Sequence, residues 1–444
     1  MTNNCYNKAV KIAILGYGVE GKLAYDYWNR SGNQITIHDH NKTIVVPDHI
    51  HTILGDKYLK NLSDYDLIIR SPSLHPNEIV KANIPDILNK VTTTTNEFFK
   101  VTPTKNIIGV TGTKGKGTTT TLIARLLEAA GHKVHIGGNI GNGALDILRN
   151  NVDPNDWIVL ELSSFQLIDL KYSPHIAVCL MISPEHLNWH QDMDEYITAK
   201  KNIFSNQLNS DIAIYYSKNE YSTELAQASI GYKIPYYEKP GAYVDSDRFI
   251  IAEQEICKTN ELQLIGEHNW QNVCAALTAF WRISQDPVIA KQVITKFKGL
   301  EHRLELVKDV NGIKYYNDSF ASAPPATIAA IESIRGSKII IIGGFDRNLG
   351  LNELALAIKT KEFEIRSALL VGASRHRLAE ALENVDFKNY KILDDNKMSD
   401  IVKSANEIAK NGDSIVLTPG FASFDMFKNF EDRGLQFKEV VNKL

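Results

Sequence analysis

Residues 107–121 read Ile-Ile-Gly-Val-Thr-Gly-Thr-Lys-Gly-Lys-Gly-Thr-Thr-Thr-Thr and carry the most specific chemical signal in the chain. An apolar run enters a glycine-rich turn with lysines and hydroxyls, and a helical pattern follows over 122–130. A turn of this kind aims backbone N–H groups and the positive end of a helix at one point, which suits a polyphosphate. Gly112 and Gly115 admit phosphate oxygens, and Thr113, Lys114 and Gly117 complete the loop. Lys116 can reach the β- and γ-phosphates, and Thr118 or Thr119 offers a hydroxyl to Mg²⁺. The spacing departs from the common phosphate loop, because Val110 stands where a glycine is usual and Gly117 follows the lysine directly. An ordinary strand-to-helix turn needs neither lysine nor hydroxyls, so a nucleoside triphosphate is the expected ligand.

Other groups could share that chemistry. Gly16-x-Gly18-x-x-Gly21 follows an apolar run, and Asp39 ends the next one. This matches a dinucleotide fingerprint, although a diphosphate-bearing substrate fits the same turn. Glu161 closes another apolar run, where nucleotide-binding sheets place a Mg²⁺ carboxylate. His186 follows the next run. Taken alone it reads as a packing or hydrogen-bonding histidine, and Lys200, in a helical pattern, as a solvated cation. Toward the end of the chain, Asp318-Ser319, the 343–347 loop and the 418–423 loop each follow a strand-like run. Together they predict one acceptor crevice, with Arg347 able to clamp a carboxylate bidentately.

These residues need a scaffold that gathers strand ends. Apolar runs alternate with helical patterns throughout, which predicts stacked α/β domains with largely parallel sheets. The expected strands are 11–15, 35–38, 67–69, 107–111, 157–162, 176–180, 313–316, 338–342, 368–371, 390–393 and 414–417, with shorter pieces near 212–216 and 248–264. The expected helices include a segment ending near 28, 269–283, 325–334 and 377–383. A length of 444 residues exceeds one core and suggests three domains, at 1–103, 104–299 and 300–444, with 101–105 as a linker punctuated by Pro103. Hydrophobic content of 43%, charged content of 23% and a net charge of −3 are ordinary for a globular chain. They give no sign of a nucleic-acid or membrane surface. The start has no long apolar run, so no signal peptide is expected. The four scattered cysteines, Cys5, Cys179, Cys257 and Cys274, read as free thiols in a reducing cytoplasm.

The chain resembles the Mur ligases along its whole length. The resemblance rests on Gly112-Thr-Lys-Gly-Lys116, Gly137-Gly-Asn139-Ile-Gly141, Leu160-Glu161-Leu-Ser-Ser-Phe-Gln166, Glu185-His186, Ala199-Lys200 and Gly266-Glu-His-Asn269-Trp-Gln-Asn272. It continues in Glu301-His-Arg303-Leu-Glu305, Asn317-Asp318-Ser319 and the 421–434 segment, whose pattern, like that of 160–166, is that of the D-glutamate branch. The resemblance implies a three-domain architecture: a Rossmann-like domain for a UDP substrate, a central ATPase-like domain, and a C-terminal Rossmann-like domain for the amino acid. It implies a monomeric, cytoplasmic, ATP-dependent amide ligase of cell-wall precursor synthesis that adds D-glutamate to UDP-N-acetylmuramoyl-L-alanine through an acyl phosphate. A folylpolyglutamate-type or other Mur-type ligase with a different acceptor, such as L-glutamate, is the alternative.

It also implies roles. Lys116 and the threonines hold ATP phosphates, while Thr118, Glu161 and His186 serve two Mg²⁺ sites together with Lys200 as a carbamate. Asn269, Asn272, Arg303 and Asp318 hold the nucleotide. Gly16, Gly18, Gly21, Asp39, Ser71 and Ser73 face the UDP, with Asn139 and His186 near its muramoyl-alanine end. Ser322, Arg347, Ser423 and Phe430 surround the amino acid. Against the family pattern, Phe320 and Ser322 stand where lysine and threonine are usual, and Ser73 stands where glycine is usual.

Overall fold

The computed structural model describes residues 10–30, 32–141, 143–264, 266–346, 349–394 and 397–444. It contains two compact units: Met1–Leu262 with Glu267–Thr295, and Gln263–Gly266 with Lys296–Leu444. The apolar runs become strands covered on both faces, which is why they are continuously rather than alternately hydrophobic.

In the first unit, β1 (Lys11–Leu15), β2 (Gln34–Asp39), β3 (His51–Leu54), β4 (Leu67–Arg70) and β5 (Val91–Thr92) form a parallel sheet in the order β3-β2-β1-β4-β5. The strand order reverses between β1 and β4, so the loops carrying Gly16, Asp39 and Ser71 open onto one crevice at the strand carboxyl ends. A second parallel sheet joins β6 (Ile107–Thr111), β7 (Val134–Gly138), β8 (Trp157–Glu161), β9 (Ile176–Cys179), β10 (Ile212–Tyr216) and β11 (Tyr232–Tyr236) in the order β11-β10-β9-β6-β8-β7. All five residues of β6 are buried, and its neighbours β8 and β9 carry Glu161 and the approach to His186. One apolar cluster runs from Ile12, Trp28 and Phe98 to Leu145 and Leu160, so the two sheets share a core. Strands β12 (Tyr243–Asp245), β13 (Arg248–Ile251) and β14 (Gln254–Lys258) add a small antiparallel sheet.

The second unit has one sheet of β15 (Glu305–Val310), β16 (Ile313–Asn317), β17 (Lys338–Gly343), β18 (Ile365–Val371), β19 (Tyr390–Ile392) and β20 (Ser414–Leu417), in the order β15-β16-β20-β17-β18-β19. Helices bury its two faces as two separate apolar clusters, one around Ile340, Leu354 and Leu370 and the other around Ile339, Leu369 and Phe437. The loops after β16, β20 and β17 are adjacent because those strands are neighbours.

Several local expectations are corrected. The helix after the phosphate loop is Lys116–Ala129, not 122–130. Its threonines are poor helix formers, but Thr118, Thr119 and Thr120 are buried, and packing outweighs their intrinsic preference. The helix expected over 269–283 spans Glu267–Phe280, and β15 is an unforeseen antiparallel edge. Its residues are mostly half-buried, so its pattern is weak in sequence. Cys179, Cys257 and Cys274 are buried and unpaired, while Cys5 lies outside the described residues. No helix among the described residues is long and apolar enough to cross a membrane.

Candidate active site

The phosphate loop is a rigid cradle. Gly115 has φ +85°, and a Cβ there would lie 2.2 Å from Asn272 Oδ1, so only glycine fits both the backbone and the neighbour. Gly115 caps the Lys116–Ala129 helix without a side-chain hydrogen bond, and no acid occupies the first turn. The open N–H groups and the helix dipole therefore face the loop unneutralised. Asn272 accepts from Thr119 Oγ1 at 3.4 Å and donates to Asn269 Oδ1 at 3.0 Å, which ties both asparagines to the cradle. The Thr118 hydroxyl makes no hydrogen bond among the described residues.

Beneath the loop lies a group that helical position alone misreads. Asp192 caps the Met193–Ser205 helix by accepting from the Glu195 amide at 2.9 Å. The buried face of that helix carries Tyr196, Lys200 and Ile203, spaced as a core stripe. Lys200 is 1% exposed and not the solvated cation its helical setting suggests. Its Nζ donates to Gly112 O at 2.9 Å and lies 4.8 Å from the centre of the Tyr196 ring. Lys116 Nζ donates to the same Gly112 O at 3.1 Å and to Thr113 O at 3.0 Å. Burial, reinforced by the Lys116 charge, pushes Lys200 down to about 7. Its amine is therefore largely neutral at slightly alkaline pH.

Two metal-type ligands flank this pair. Glu161 ends β8 and is 4% exposed, so it is not a solvated strand-end acid. Its Oε1 accepts from Asn139 Nδ2 at 2.7 Å, and the Asn139 amide donates to Glu161 O at 2.9 Å, which leaves Oε2 open among the described residues. His186 sits in the left-handed region at φ +58°, with its ring 4.8 Å from Phe165 and 3.7 Å from Glu185. Burial, then the Lys116 and Lys200 charges, hold its imidazole below the ordinary value against the pull of Glu185. A neutral imidazole is the ligating form.

The first sheet builds a separate crevice. Asp39 Oδ2 accepts from the Tyr17 amide at 2.8 Å, so the strand-end acid shapes the glycine loop. A Cβ on Gly21 would lie 1.9 Å from Gly16 O, so the helix can pack over that loop only with glycine there. Ser71 Oγ donates to Gly16 O at 3.1 Å and closes the second wall, while the Ser73 amide and hydroxyl make no hydrogen bond among the described residues. Nearby, His75, His190 and Glu195 bring their ligating atoms within 4.8 Å of one another. The Asn77 amide donates to His75 Nδ1 at 3.1 Å, which places the proton on Nε2, facing Glu195 Oε2 at 3.0 Å. His75 and Glu195 are joined by that hydrogen bond, and His190 Nδ1 lies 3.4 Å from the same Glu195 oxygen.

In the second unit the three predicted loops meet. Asp318 accepts from Thr418 Oγ1 at 2.9 Å and from the Leu304 amide at 3.1 Å. Burial pushes its carboxyl up to about 7, although both hydrogen bonds and the Arg303 and Arg433 charges oppose the rise. Ser423 is buried, Phe430 half-buried and Ser322 exposed, and the exposed Arg303 lies 4.8 Å over the Phe320 ring. Arg347 falls outside the described residues. Two arginines escaped the sequence reading. Arg433 donates from Nε to Ser319 Oγ at 2.9 Å and from Nη1 to Phe421 O at 3.2 Å, joining two crevice loops from below. Arg70 closes the Leu-Ile-Ile run of β4, and an arginine at that point of a buried strand was its only visible signal.

With the geometry in place, the similarities to known proteins are specific. The Mur ligase middle domain matches residues 110–280, and the Mur ligase glutamate ligase domain matches residues 302–421. The chain is 37% identical over 454 residues to the UDP-N-acetylmuramoylalanine–D-glutamate ligase of Clostridium kluyveri, covering 98% of this chain and 97% of that one. It is 34% identical to the protein of the same name from Clostridium tetani, covering 99% and 97%. Among solved structures, the MurF ligase of Thermotoga maritima in complex with ADP matches with a TM-score of 0.57 at 16% identity, covering 98% and 96%, a likeness of fold.

The Asp318 geometry yields a stability prediction. Its folded value lies above that of the unfolded chain, so its contribution is complete below about pH 4 and is lost as pH rises through about 7. Asp318→Asn removes that dependence. Thermal unfolding of both proteins from acidic to mildly alkaline pH is expected to show the wild type losing ground to the variant up to about pH 7 and running parallel to it above. Parallel profiles throughout would refute the assignment.

Proposed function

This chain belongs to the Mur ligase family, and from that membership we propose that it is the ATP-dependent ligase joining D-glutamate to UDP-N-acetylmuramoyl-L-alanine in peptidoglycan precursor synthesis. One observation carries the reading. A phosphate loop, a strand-end carboxylate and a buried lysine converge at the carboxyl ends of neighbouring inner strands, in a chain whose likeness to named D-glutamate ligases runs its full length.

The proposed roles are those that the family resemblance implies. Residues 1–103 take the UDP end through Gly16, Gly18, Gly21, Asp39, Ser71 and Ser73. Residues 104–299 take ATP phosphates at Gly112–Thr119, with Asn269 and Asn272 behind them. In residues 300–444, Arg303 and Asp318 are read as nucleotide contacts, and Ser322, Ser423 and Phe430 as acceptor contacts. The donor set fits Mg²⁺: Glu161 keeps one oxygen open, the Thr118 hydroxyl is unengaged among the described residues, and His186 is held neutral. When bound, Mg²⁺ supplies charge neutralisation at the transferring phosphoryl group.

The substrate carboxylate attacks the γ-phosphorus and ADP leaves, with the Lys116 ammonium opposing the charge that builds on the phosphoryl oxygens. The glutamate amine then adds to the acyl carbon, and the tetrahedral intermediate loses a proton and expels inorganic phosphate. Asn139 lies beside Glu161 and is read as holding the muramoyl-alanine end, where it would orient the attacking carboxylate. Lys200, as a neutral amine, adds CO₂ by forming a nitrogen–carbon bond and sheds a proton. That carbamate replaces a cation with a carboxylate-like anion next to Lys116 and offers a further ligand for a second metal site.

Phosphate release assayed with the UDP substrate and either glutamate enantiomer tests the reading, with turnover expected only for the D form. Release with neither enantiomer would sink it. Lys116→Ala is expected to lower phosphate release by about 10³-fold or more with an unchanged thermal midpoint, because the side chain faces ligand rather than core. Lys200→Ala is expected to be weakly active and partly restored by short carboxylates. Full activity without them would deny the carbamate its role.

A further inference from the structure

Arg70 is 1% exposed, and every N–H of its guanidinium is used. Nε donates to Asp169 Oδ2 and Nη2 to Asp169 Oδ1, both at 2.7 Å, a bidentate fork. Nη2 also donates to Phe165 O at 2.9 Å, within the helix that follows Glu161. Nη1 turns the other way and donates to Leu74 O at 2.7 Å and Ser71 O at 3.1 Å, with Pro72 O at 3.3 Å. The remaining carbonyl of that turn, Ser73 O, accepts from Trp189 Nε1 at 2.9 Å, and Trp189 lies three residues past His186. All four carbonyls from Ser71 to Leu74 are therefore held by side chains, three of them by Arg70. Such a turn is pinned inward by its oxygens and presents the Ser73 amide and hydroxyl outward. On its other side, Ser71 closes against Gly16 O at 3.1 Å.

We propose that Arg70 is a positioning residue that sets the register between the UDP-binding turn and the phosphoryl-transfer centre. The proposal rests on the ligase reading above. The nucleotide-sugar substrate is held at one end by the first sheet, and its reacting carboxylate must arrive at the edge of the second. One guanidinium spans that division, from the Ser71–Leu74 turn to the Phe165–Asp169 segment. Asp169 is braced in turn, since Asn96 Nδ2 donates to Asp169 O at 3.0 Å. Lysine cannot replace this fork, because a single ammonium on a flexible stem cannot meet the carboxylate and four carbonyls at once. The effect should fall on the substrate that crosses the division, while the ATP cradle, built from Gly112–Lys116 and Asn272, makes no hydrogen bond with Arg70 among the described residues.

The test uses the full chain. Arg70→Lys and Asp169→Asn are compared with wild type by steady-state kinetics in each substrate and by calorimetric binding of UDP-N-acetylmuramoyl-L-alanine. The expected result is a rise of about tenfold in KM and Kd for the nucleotide sugar, with KM for ATP within about twofold. Trp189→Phe, which keeps an aromatic ring beside His75 and Phe165 while removing the Ser73 hydrogen bond, should shift the same constants in the same direction by a smaller factor. A purely structural role would lower the thermal midpoint and the active fraction while leaving the nucleotide-sugar KM and Kd unchanged, and that result overturns the proposal. Should Arg70→Lys fail to fold, Asp169→Asn and Trp189→Phe decide the question by the same constants. Failure of wild type to bind the nucleotide sugar would count against the ligase reading instead.

Discussion

A single carbonyl oxygen, that of Gly112, accepts a hydrogen bond from two lysine amines. The rest of the site is arranged around this constraint. Two ammonium groups on one acceptor repel each other, and in a buried setting water does not relieve the conflict. The deeper amine, Lys200, is driven toward neutrality by burial and by Lys116. Lys116 stays half-buried at the loop, while the amine beneath it is almost fully buried. One strand end thus sets two lysines in two environments, because the helix from Met193 to Ser205 presents Lys200 from its apolar face and Lys116 begins a helix of its own.

That separation works only if the substrate carboxylate is delivered to the right place. The first unit shares one apolar core between two parallel sheets, and Arg70 bolts the crevice of one to the strand-end segment of the other. Hydrophobic burial is non-directional and cannot by itself fix a turn to fractions of an ångström. The directional part comes from Arg70 and Trp189, whose hydrogen bonds hold the turn's carbonyls from the catalytic side. The clasp of His75 with Glu195 adds a third tie in the same place, and its tautomer is fixed by the Asn77 amide.

Much of this was legible in the chain before its structure. Gly112–Lys116, Glu161 and the three loops after β16, β17 and β20 announce themselves, because phosphate cradles and strand-end sites need particular residues at particular spacings. The strands were readable because sheets covered on both faces are written as continuous apolar runs. Lys200 was readable only through a family pattern, since a lysine on a helix is ordinarily solvated and burial depends on which face meets the sheet. Arg70, Asp169 and Arg433 were silent for a related reason: their value lies in carbonyls donated by distant segments, and a carbonyl has no letter in the sequence. The early start of the helix at Lys116 was hidden by four threonines whose local preference tertiary packing overrides. The edge strand β15, half-buried along most of its length, left too little alternation to be seen.

Burial treats the two units' titratable groups by one rule with opposite outcomes. In the first unit it strips a proton from a lysine, and in the second it returns one to an aspartate, each ending near pH 7. Neither shift follows from a neighbouring charge alone. Asp318 even has two arginine charges and two hydrogen bonds working against its rise, so desolvation must outweigh them all. A carboxyl kept this dry is suited to holding two strand-end loops through Thr418 and Leu304 rather than to binding a cation from solvent. Glu161 is placed differently: the Asn139 amide engages one of its oxygens, and the other makes no hydrogen bond among the described residues. The two acids lie at equivalent places, each at the carboxyl end of a parallel strand, and they differ in the number of donors already spent on each.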